Sequence, residues 1–346
     1  RGLLVRALVA VGYRVLAVNP LGVDRYRDRS RVSGAKSDPG DARVLADMVR
    51  TDAHQHRAVA ADCDLAEAIK LVARSHQSAI WSRRRLANQV RSALREFYPA
   101  AQLAFEDLTH SDAVSVLAIA PTPELGKGLS LSKIASALRR GGRQLNVDKK
   151  AAAVQAALRT DQLTQPPVVA DAYGAIVASL AKVIAAHNTQ IAELEEVLEA
   201  HFSQHPDADI LRSLPGLGVV TGYNTGARVL GEFGDDPNRY DTAKGRRNYA
   251  GTSPLTVASG TRRVVRARHI RNRRLADALY WWAFNAINRS PGARALYDHR
   301  RALGDTHSGA LRVVSNRLVA ILHGCLRHRT LYDEHTAWAH RNDIAA

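Results

Sequence analysis

Cysteine is almost absent from this 346-residue chain: Cys63 and Cys325 are the only two. Two thiols cannot build a disulfide framework or a zinc ribbon, and their scarcity fits a reducing compartment. Aromatic residues make up 5%, too few for base-stacking modules of the RNA-recognition-motif type. Long apolar runs are missing. Nothing approaches the stretch of roughly 18 apolar residues that spans a membrane, and no secretory leader is visible. The expectation is a cytoplasmic protein with no membrane partner. The glycines form no Walker loop, so nucleotide hydrolysis is unsupported. His323, His328, His335 and His340 offer no His-x-x-x-His pair with a third ligand; they read as surface or phosphate-contacting residues. An initiator Met is lacking too. Arg1-Gly2-Leu3-Leu4-Val5-Arg6 reads as mid-domain sequence and predicts an N-terminal truncation.

Acidic residues are the remaining deficit. The chain has 33 Asp and Glu against 49 Lys and Arg, a formal net charge of +16, with a pI near 10.3. Such an excess points to a polyanion, because Lys and Arg that neutralise phosphates release counterions. Hydrophobic residues at 46% exclude a disordered basic tail, and the length suggests two or three domains. The charge is concentrated. Positions 239–274 hold Arg239, Lys244, Arg246, Arg247, Arg262, Arg263, Arg266, Arg268, Arg271, Arg273 and Arg274, with Asp241 as the only acid. Arg83, Arg84, Arg85, Arg91 and Arg95 form a second group. Phosphate contact by arginine positions a protein without reading sequence.

Along the chain, Leu3 to Val9 has helical spacing, and Val15-Leu16-Ala17-Val18 is a short strand stopped by Asn19-Pro20. The helix–strand–helix order suggests an α/β unit. Positions 65–97 repeat apolar residues near the helical period and predict one long amphipathic helix or a broken pair. A weak heptad over 168–202 predicts a coiled-coil arm or an ordinary bundle helix. Short helices fill 108–165. The texture changes near 205: Leu214-Pro215-Gly216-Leu217-Gly218 reads as a tight turn, 249–260 as a loop region, and 275–287 and 311–326 as helices.

Three constellations could carry chemistry. Asp38 and Asp41 lie one turn apart in Asp38-Pro39-Gly40-Asp41, where two carboxylates could hold a hard cation such as Mg²⁺. The competing reading makes Asp38 the N-cap, Pro39 the first helical residue and Asp41 the third, a capping box. In the 214–218 turn, Gly216 and Gly218 could offer backbone N–H groups to a phosphate, or simply join two helices. Ser259, before Gly260 and near Arg262 and Arg263, is either a turn residue or a nucleophile beside cations.

In order and separation these segments resemble the insertion-sequence transposases of the IS110 family. Val15–Pro20 and Lys36-Ser37-Asp38-Pro39-Gly40-Asp41-Ala42-Arg43 are similar to the end of that family's RuvC-like DEDD domain. The 214–218 turn, Tyr249-Ala250-Gly251-Thr252-Ser253-Pro254 and Ser259-Gly260 are similar to its C-terminal transposase domain. The resemblance implies an α/β RuvC-like (RNase H-like) N-terminal domain, here truncated, over 1–105. A helical connector with a coiled-coil arm over 106–205 and a mainly α-helical serine transposase domain over 206–346 follow. It further implies that Asp38 and Asp41 bind Mg²⁺ together with an Asp and a Glu upstream of Arg1, which reverses the cap-only reading. Ser259 would attack DNA and form a phosphoserine link. Arg83, Arg84, Arg85, Gly216, Gly218, Arg246, Arg247, Arg262, Arg263, Arg266, Arg268, Arg273 and Arg274 would contact nucleic acid. Implied partners are DNA (element ends and target), a structured noncoding guide RNA in some members, and further copies of the chain as a dimer or tetramer near the nucleoid. Arg271-Asn272 departs from the family's usual Gly-Asn pair. A RuvC-like nuclease or resolvase using only water and metals, and an inactive DNA-binding remnant, are the alternatives.

Overall fold

A computed structural model of the chain describes residues 2–29, 37–59, 61–218 and 225–342. Helices dominate. The N-terminal segment runs α1 (Leu3–Ala10), β1 (Leu16–Ala17), α2 (Pro20–Arg27), α3 (Asp38–Asp52) and β2 (Arg57–Ala58). Then come α4 (Asp64–Phe97), the short helices α5 (Pro99–Ala104), α6 (Ser111–Ile119), α7 (Pro123–Lys127), α8 (Leu131–Arg140) and α9 (Val147–Leu158), and the long α10 (Pro167–Ser203). The C-terminal part comprises α11 (Ala208–Ser213), α12 (Thr225–Phe233), α13 (Ala243–Ala250), β3 (Leu255–Ser259), β4 (Arg262–Arg266), α14 (Arg273–Ala286), α15 (Pro291–Ala302), α16 (His307–His328) and α17 (Glu334–Asn342).

The amphipathic run is one unbroken helix, α4. Its start is fixed by Cys63, whose sulfur accepts the Ala66 N–H at 3.3 Å, and Pro99 begins the next helix directly after Tyr98. Helix α10 lies antiparallel to it. Near one end Phe97 stacks on Tyr173, ring centres 5.0 Å apart; at the other, Ile69 and Ala73 share a core with Leu198 and Phe202. The pair therefore feeds two cores. One gathers Val90, Leu94 and Phe97 of α4, Ala170, Val177 and Ile184 of α10, and the short helices α5, α6, α8 and α9. The other gathers the opposite ends of α4 and α10 with α11 to α17 around Trp282, Leu279, Leu318 and Phe233. Among the described residues, α10 alone is long and apolar enough to cross a membrane. Its buried side chains Val177, Ala181, Ile184, Ile191 and Leu198 instead face α4 and the two protein cores.

Two expectations change. The N-terminal α/β unit appears as a two-residue antiparallel ladder, Leu16 opposite Ala58 and Ala17 opposite Arg57, with no parallel sheet among the described residues. Met48 is the only core side chain described in this segment, so local burial is too small to organise a sheet here. The region read as a loop over 249–260 contains β3, which pairs antiparallel with β4 in register Leu255–Arg266 through Ser259–Arg262.

Gly231 marks where α12 crosses α4: a Cβ there would stand 2.8 Å from the Lys70 Cα. Alanine favours a helix by about 1 kcal/mol over glycine, but here it must separate two backbones. Gly231→Ala is expected to lower the urea midpoint by the equivalent of about 1–3 kcal/mol at unchanged m-value. A raised midpoint would refute the close crossing.

Candidate nucleic-acid interface and acidic pair

The acidic pair sits at the start of α3. Ser37, rather than Asp38, is the N-cap: its hydroxyl accepts the Gly40 N–H at 3.2 Å. The capping-box assignment thus shifts by one residue, because Ser37 takes the extended backbone at the cap and leaves Asp38 inside the first turn. Asp38 is exposed. Asp41 Oδ1 accepts from Arg27 Nη2 at 2.6 Å, and Arg27 also bonds Asp24 at 2.9 Å. Two carboxylates one turn apart, one without a described side-chain bond, make an oxygen donor set of the kind a hard divalent cation accepts, with water and phosphate completing the shell. Lys36, at the start of the motif, lies outside the described residues.

Carboxylates also tie the entry of α4 to the C-terminal part. Asp236 Oδ2 accepts the Ala61 N–H at 2.8 Å, and Asp235 Oδ1 accepts the Cys63 N–H at 2.9 Å. Asp62 pairs with Arg239 at 3.2 Å, both side chains largely buried. Cys63, His205 and Asp235 bring ligand-type atoms together, but His205 Nδ1 accepts the Asp207 N–H. The ring proton is then on Nε2, which faces Asp235 Oδ2 at 3.3 Å. That geometry is a hydrogen-bonded brace, since a metal would need the Nε2 lone pair. Burial, and then Asp235, push the Cys63 thiol up.

The arginines divide into two sets. Arg246 is buried over the rings of Tyr240 and Phe233, at 4.6 and 5.2 Å, and burial pulls it down to about 10. Arg274 stacks on Trp81 at 5.1 Å and donates to the Arg74 carbonyl and Ser78 Oγ. Arg83 donates to Asn188 Oδ1 at 2.8 Å across the α4–α10 pair. Of these three, expected on nucleic acid, Arg246 is buried, and Arg83 and Arg274 are half-buried with donors committed to neighbouring helices. Gly216 is likewise interior: φ is +85°, and a Cβ would stand 2.8 Å from the Ala286 nitrogen, while the preceding Pro215 carbonyl accepts from Trp282 Nε1. Its turn packs on α14. Gly218 is half-buried. His323, read as a surface residue, is buried, and burial and then Arg246 push its pKa down. Arg84, Arg85, Arg262, Arg263, Arg266 and Arg273 are exposed, whereas Arg247 and Arg268 are half-buried.

Ser259 ends β3 at the tip of an exposed hairpin. Gly260 at φ +56° makes the tight reversal, as left-handed turn positions require. Opposite residues of an antiparallel pair share a face, and alternation adds every second neighbour. Ser259 therefore shares a face with Arg262 and Arg266, with Val257 and Val264 between them. Asp41 pairs with Arg27, and Ser259 faces Arg262 across the hairpin.

Sequence reading missed a polar knot at the start of α14. Glu232, buried on α12, takes both Arg74 Nε and Nη2 at 2.7 and 2.8 Å and Asn272 Nδ2 at 2.6 Å. Asn272 also caps α14 through the Arg274 and Leu275 N–H groups, which settles the local geometry of the Arg271-Asn272 departure. Burial pushes the Glu232 carboxyl up, but the Arg74 and Asn272 hydrogen bonds outweigh it and hold the pKa below the ordinary value. A single Glu in a helix carries no sequence signal for this role.

Comparison with known proteins adds two family matches. Residues 1–99 match the DEDD transposase family of IS110, and residues 208–298 match the transposase family IS116/IS110/IS902. The chain is 44% identical over 342 residues to a Streptomyces coelicolor protein named as the mini-circle transposase for IS117, covering 98% of this chain and 82% of that one. It is 30% identical to an uncharacterised 43.6 kDa protein of insertion element IS110 from the same species, over 86% of this chain and 72% of that one. A 42 kDa protein of insertion element IS900 from Mycobacterium paratuberculosis is 28% identical, over 97% of this chain and 82% of that one.

The Glu232 knot predicts a pH dependence. A carboxyl whose pKa is depressed in the folded state contributes stability that is present above the unfolded value of about 4.3 and lost as pH falls through the folded value. Glu232→Gln should cost about 2 kcal/mol at pH 7, below the figure for a fully buried pair because Arg74 is 43% exposed. It should also flatten the acid limb of the stability curve. Urea melts at several pH values check this; a mutant curve parallel to wild type throughout would refute it.

Proposed function

The chain belongs to the IS116/IS110/IS902 family and is a transposase of an insertion sequence, and from that premise we propose that it cleaves and exchanges DNA strands through Ser259, with Asp38 and Asp41 as carboxylate ligands of Mg²⁺. The observation that carries this reading is the serine at an exposed hairpin tip, on one face with Arg262 and Arg266. A hydroxyl there meets a phosphate without displacing any packing, and the two guanidiniums favour the charge that builds on the phosphate oxygens. Ser259 Oγ bonds to phosphorus and gives up its proton. The phosphorus–oxygen bond to the displaced strand breaks, and that oxygen leaves protonated. The phosphoserine keeps the ester energy, so a strand hydroxyl can reverse the step without ATP. The metal, when bound, supplies Lewis-acid polarisation of the phosphate. Asp38 is free to turn toward it, and Arg27 fixes the orientation of Asp41.

In this reading residues 1–105 supply the RuvC-like acidic part, 106–205 the connector, and 206–346 the serine part. Leu3 and Leu4 of α1 and Leu45 and Val49 of α3 are exposed apolar side chains available to the strands of a RuvC-like sheet. The exposed arginines take element ends and target DNA. They serve a structured guide RNA equally well, since phosphate contacts carry no sequence information. The protein would act in the cytoplasm at the nucleoid. The acidic pair and the serine share no described contact, and in this reading they meet in a composite site built from two copies. Val169, Ile176, Val183 and Val197 are exposed on α10 at multiples of seven residues, the spacing of a coiled-coil seam.

Ser259→Ala in the full-length protein should abolish covalent protein–DNA adducts on a denaturing gel. Asp38→Ala should lose metal-dependent cleavage while retaining DNA binding. Adducts at wild-type level from Ser259→Ala would refute the nucleophile, and free ends without adducts from the wild type would favour the hydrolytic nuclease reading. Deleting α10 would unfold both cores, so the seam is tested by substitution. Ile176→Glu with Val183→Glu should reduce the mass seen by light scattering by at least half, and an unchanged mass would remove the seam.

A further inference from the structure

Two of the four tryptophans line one open cleft, a concentration that the serine chemistry does not use. On α4 the cleft takes Gln77, Ile80, Trp81 and Arg84, spaced i, i+3, i+4 and i+7; on α14 it takes Asp277, Trp281 and Phe284, spaced i, i+4 and i+7. Two helical faces thus oppose each other across about 270 Å³. Trp281 remains 37% exposed, although burying apolar ring surface is favourable. Trp81 is held in place from behind: Arg274 lies 5.1 Å from its ring and is anchored to the Arg74 carbonyl and Ser78 Oγ of α4.

The cleft's polar groups are specific. Asp277 Oδ2 accepts from Gln77 Nε2 at 2.9 Å and from Arg228 Nη2. Arg228 is buried, and its Nε has no hydrogen-bond partner. Oδ1 of Asp277 and the Asn285 side-chain amide carry no described hydrogen bond, and both residues line the cleft. The site therefore combines ring faces, an unused carboxylate oxygen and an amide, with the exposed Arg84 beside them.

We propose that this cleft binds one unpaired nucleobase, guanine in preference to the others; the inference rests on the nucleic-acid reading above and extends it to a base-reading site away from the hairpin. Flat π-systems stack on tryptophan whatever their sequence. Guanine alone presents two adjacent donors, N1–H and N2–H, to the free carboxylate oxygen. Cytosine and adenine present one exocyclic amine each. Thymine and uracil turn carbonyl oxygens toward the carboxylate on both sides of their single N–H. Arg84 meets the flanking phosphate, which the carboxylate itself would repel. A base leaves a duplex only by giving up its pairing and stacking, so the ligand is a single-stranded or extruded position.

The test uses the full chain with short thymidine oligonucleotides carrying one central guanine, one hypoxanthine, or neither, each as DNA and as RNA. Affinity is read by anisotropy and by tryptophan quenching, and wild-type binding to duplex DNA is the control. The guanine oligonucleotide should bind at least about fivefold tighter than the all-thymidine one, the lower end of a bidentate base contact, with hypoxanthine between them because it lacks N2–H. Trp281→Ala, at an exposed position, should remove that advantage, and Asp277→Asn should remove the discrimination against hypoxanthine. A stronger effect in the RNA or the DNA series identifies the source of the base. Equal wild-type affinity for the guanine and thymidine probes, or a guanine advantage that survives Trp281→Ala, would overturn the pocket while duplex binding left the transposase reading standing. Loss of all wild-type binding, duplex included, would strike the nucleic-acid reading itself.

Discussion

The antiparallel packing of α4 on α10 is the contact on which the rest of the molecule depends. Each helix contributes one end to the C-terminal core and the other to the core of the short helices between them. Two cores that share a pair of rigid rods cannot move independently without bending a helix or emptying a packed site, and protein interiors resist both. Acidic side chains at the entrance of α4 extend the same logic. Asp235, Asp236 and the Asp62–Arg239 pair fix where the N-terminal segment leaves the helix, and with it where Asp38 and Asp41 are presented.

Charge does two jobs in this chain, and burial separates them. Buried Arg246 and half-buried Arg83 and Arg274 spend their guanidiniums on rings, amides and carbonyls of the chain itself. Arginine suits this because its planar, weakly hydrated head stacks on aromatic faces. The net positive charge is therefore not a measure of the surface offered to DNA. The exposed set on the hairpin and on the outer turn of α4 is smaller than the composition suggests.

Helix positions were legible in the sequence because apolar spacing reports a buried face directly: α4, α14 and α16 fall where the periodicity puts them. The family was legible from ordered short motifs around Asp38, Gly216 and Ser259. What stayed hidden depends on partners far apart in the chain. The hairpin over 255–266 was obscured because its strands bury almost nothing, so no alternation of apolar and polar residues marks them. Ser37 displaced Asp38 as the cap because neighbouring residues competed for one role, and side-chain identity alone cannot rank two good cap formers. Arg246 read as a phosphate ligand because position along the chain says nothing about Phe233 and Tyr240 waiting across the core. The knot at Glu232 joins positions 74, 232 and 272, a separation no local pattern encodes.

The hairpin that carries Ser259 has a consequence for energetics. An isolated two-stranded ribbon in water is marginally stable at best, and this one has no core beneath it. A nucleic acid that packed on it would spend part of its binding free energy on ordering the ribbon, and its affinity would fall below what the same contacts give a rigid platform. In the reaction proposed above Ser259 would ride on such a ribbon, and a nucleophile that binding helps to position would be let go when its target leaves.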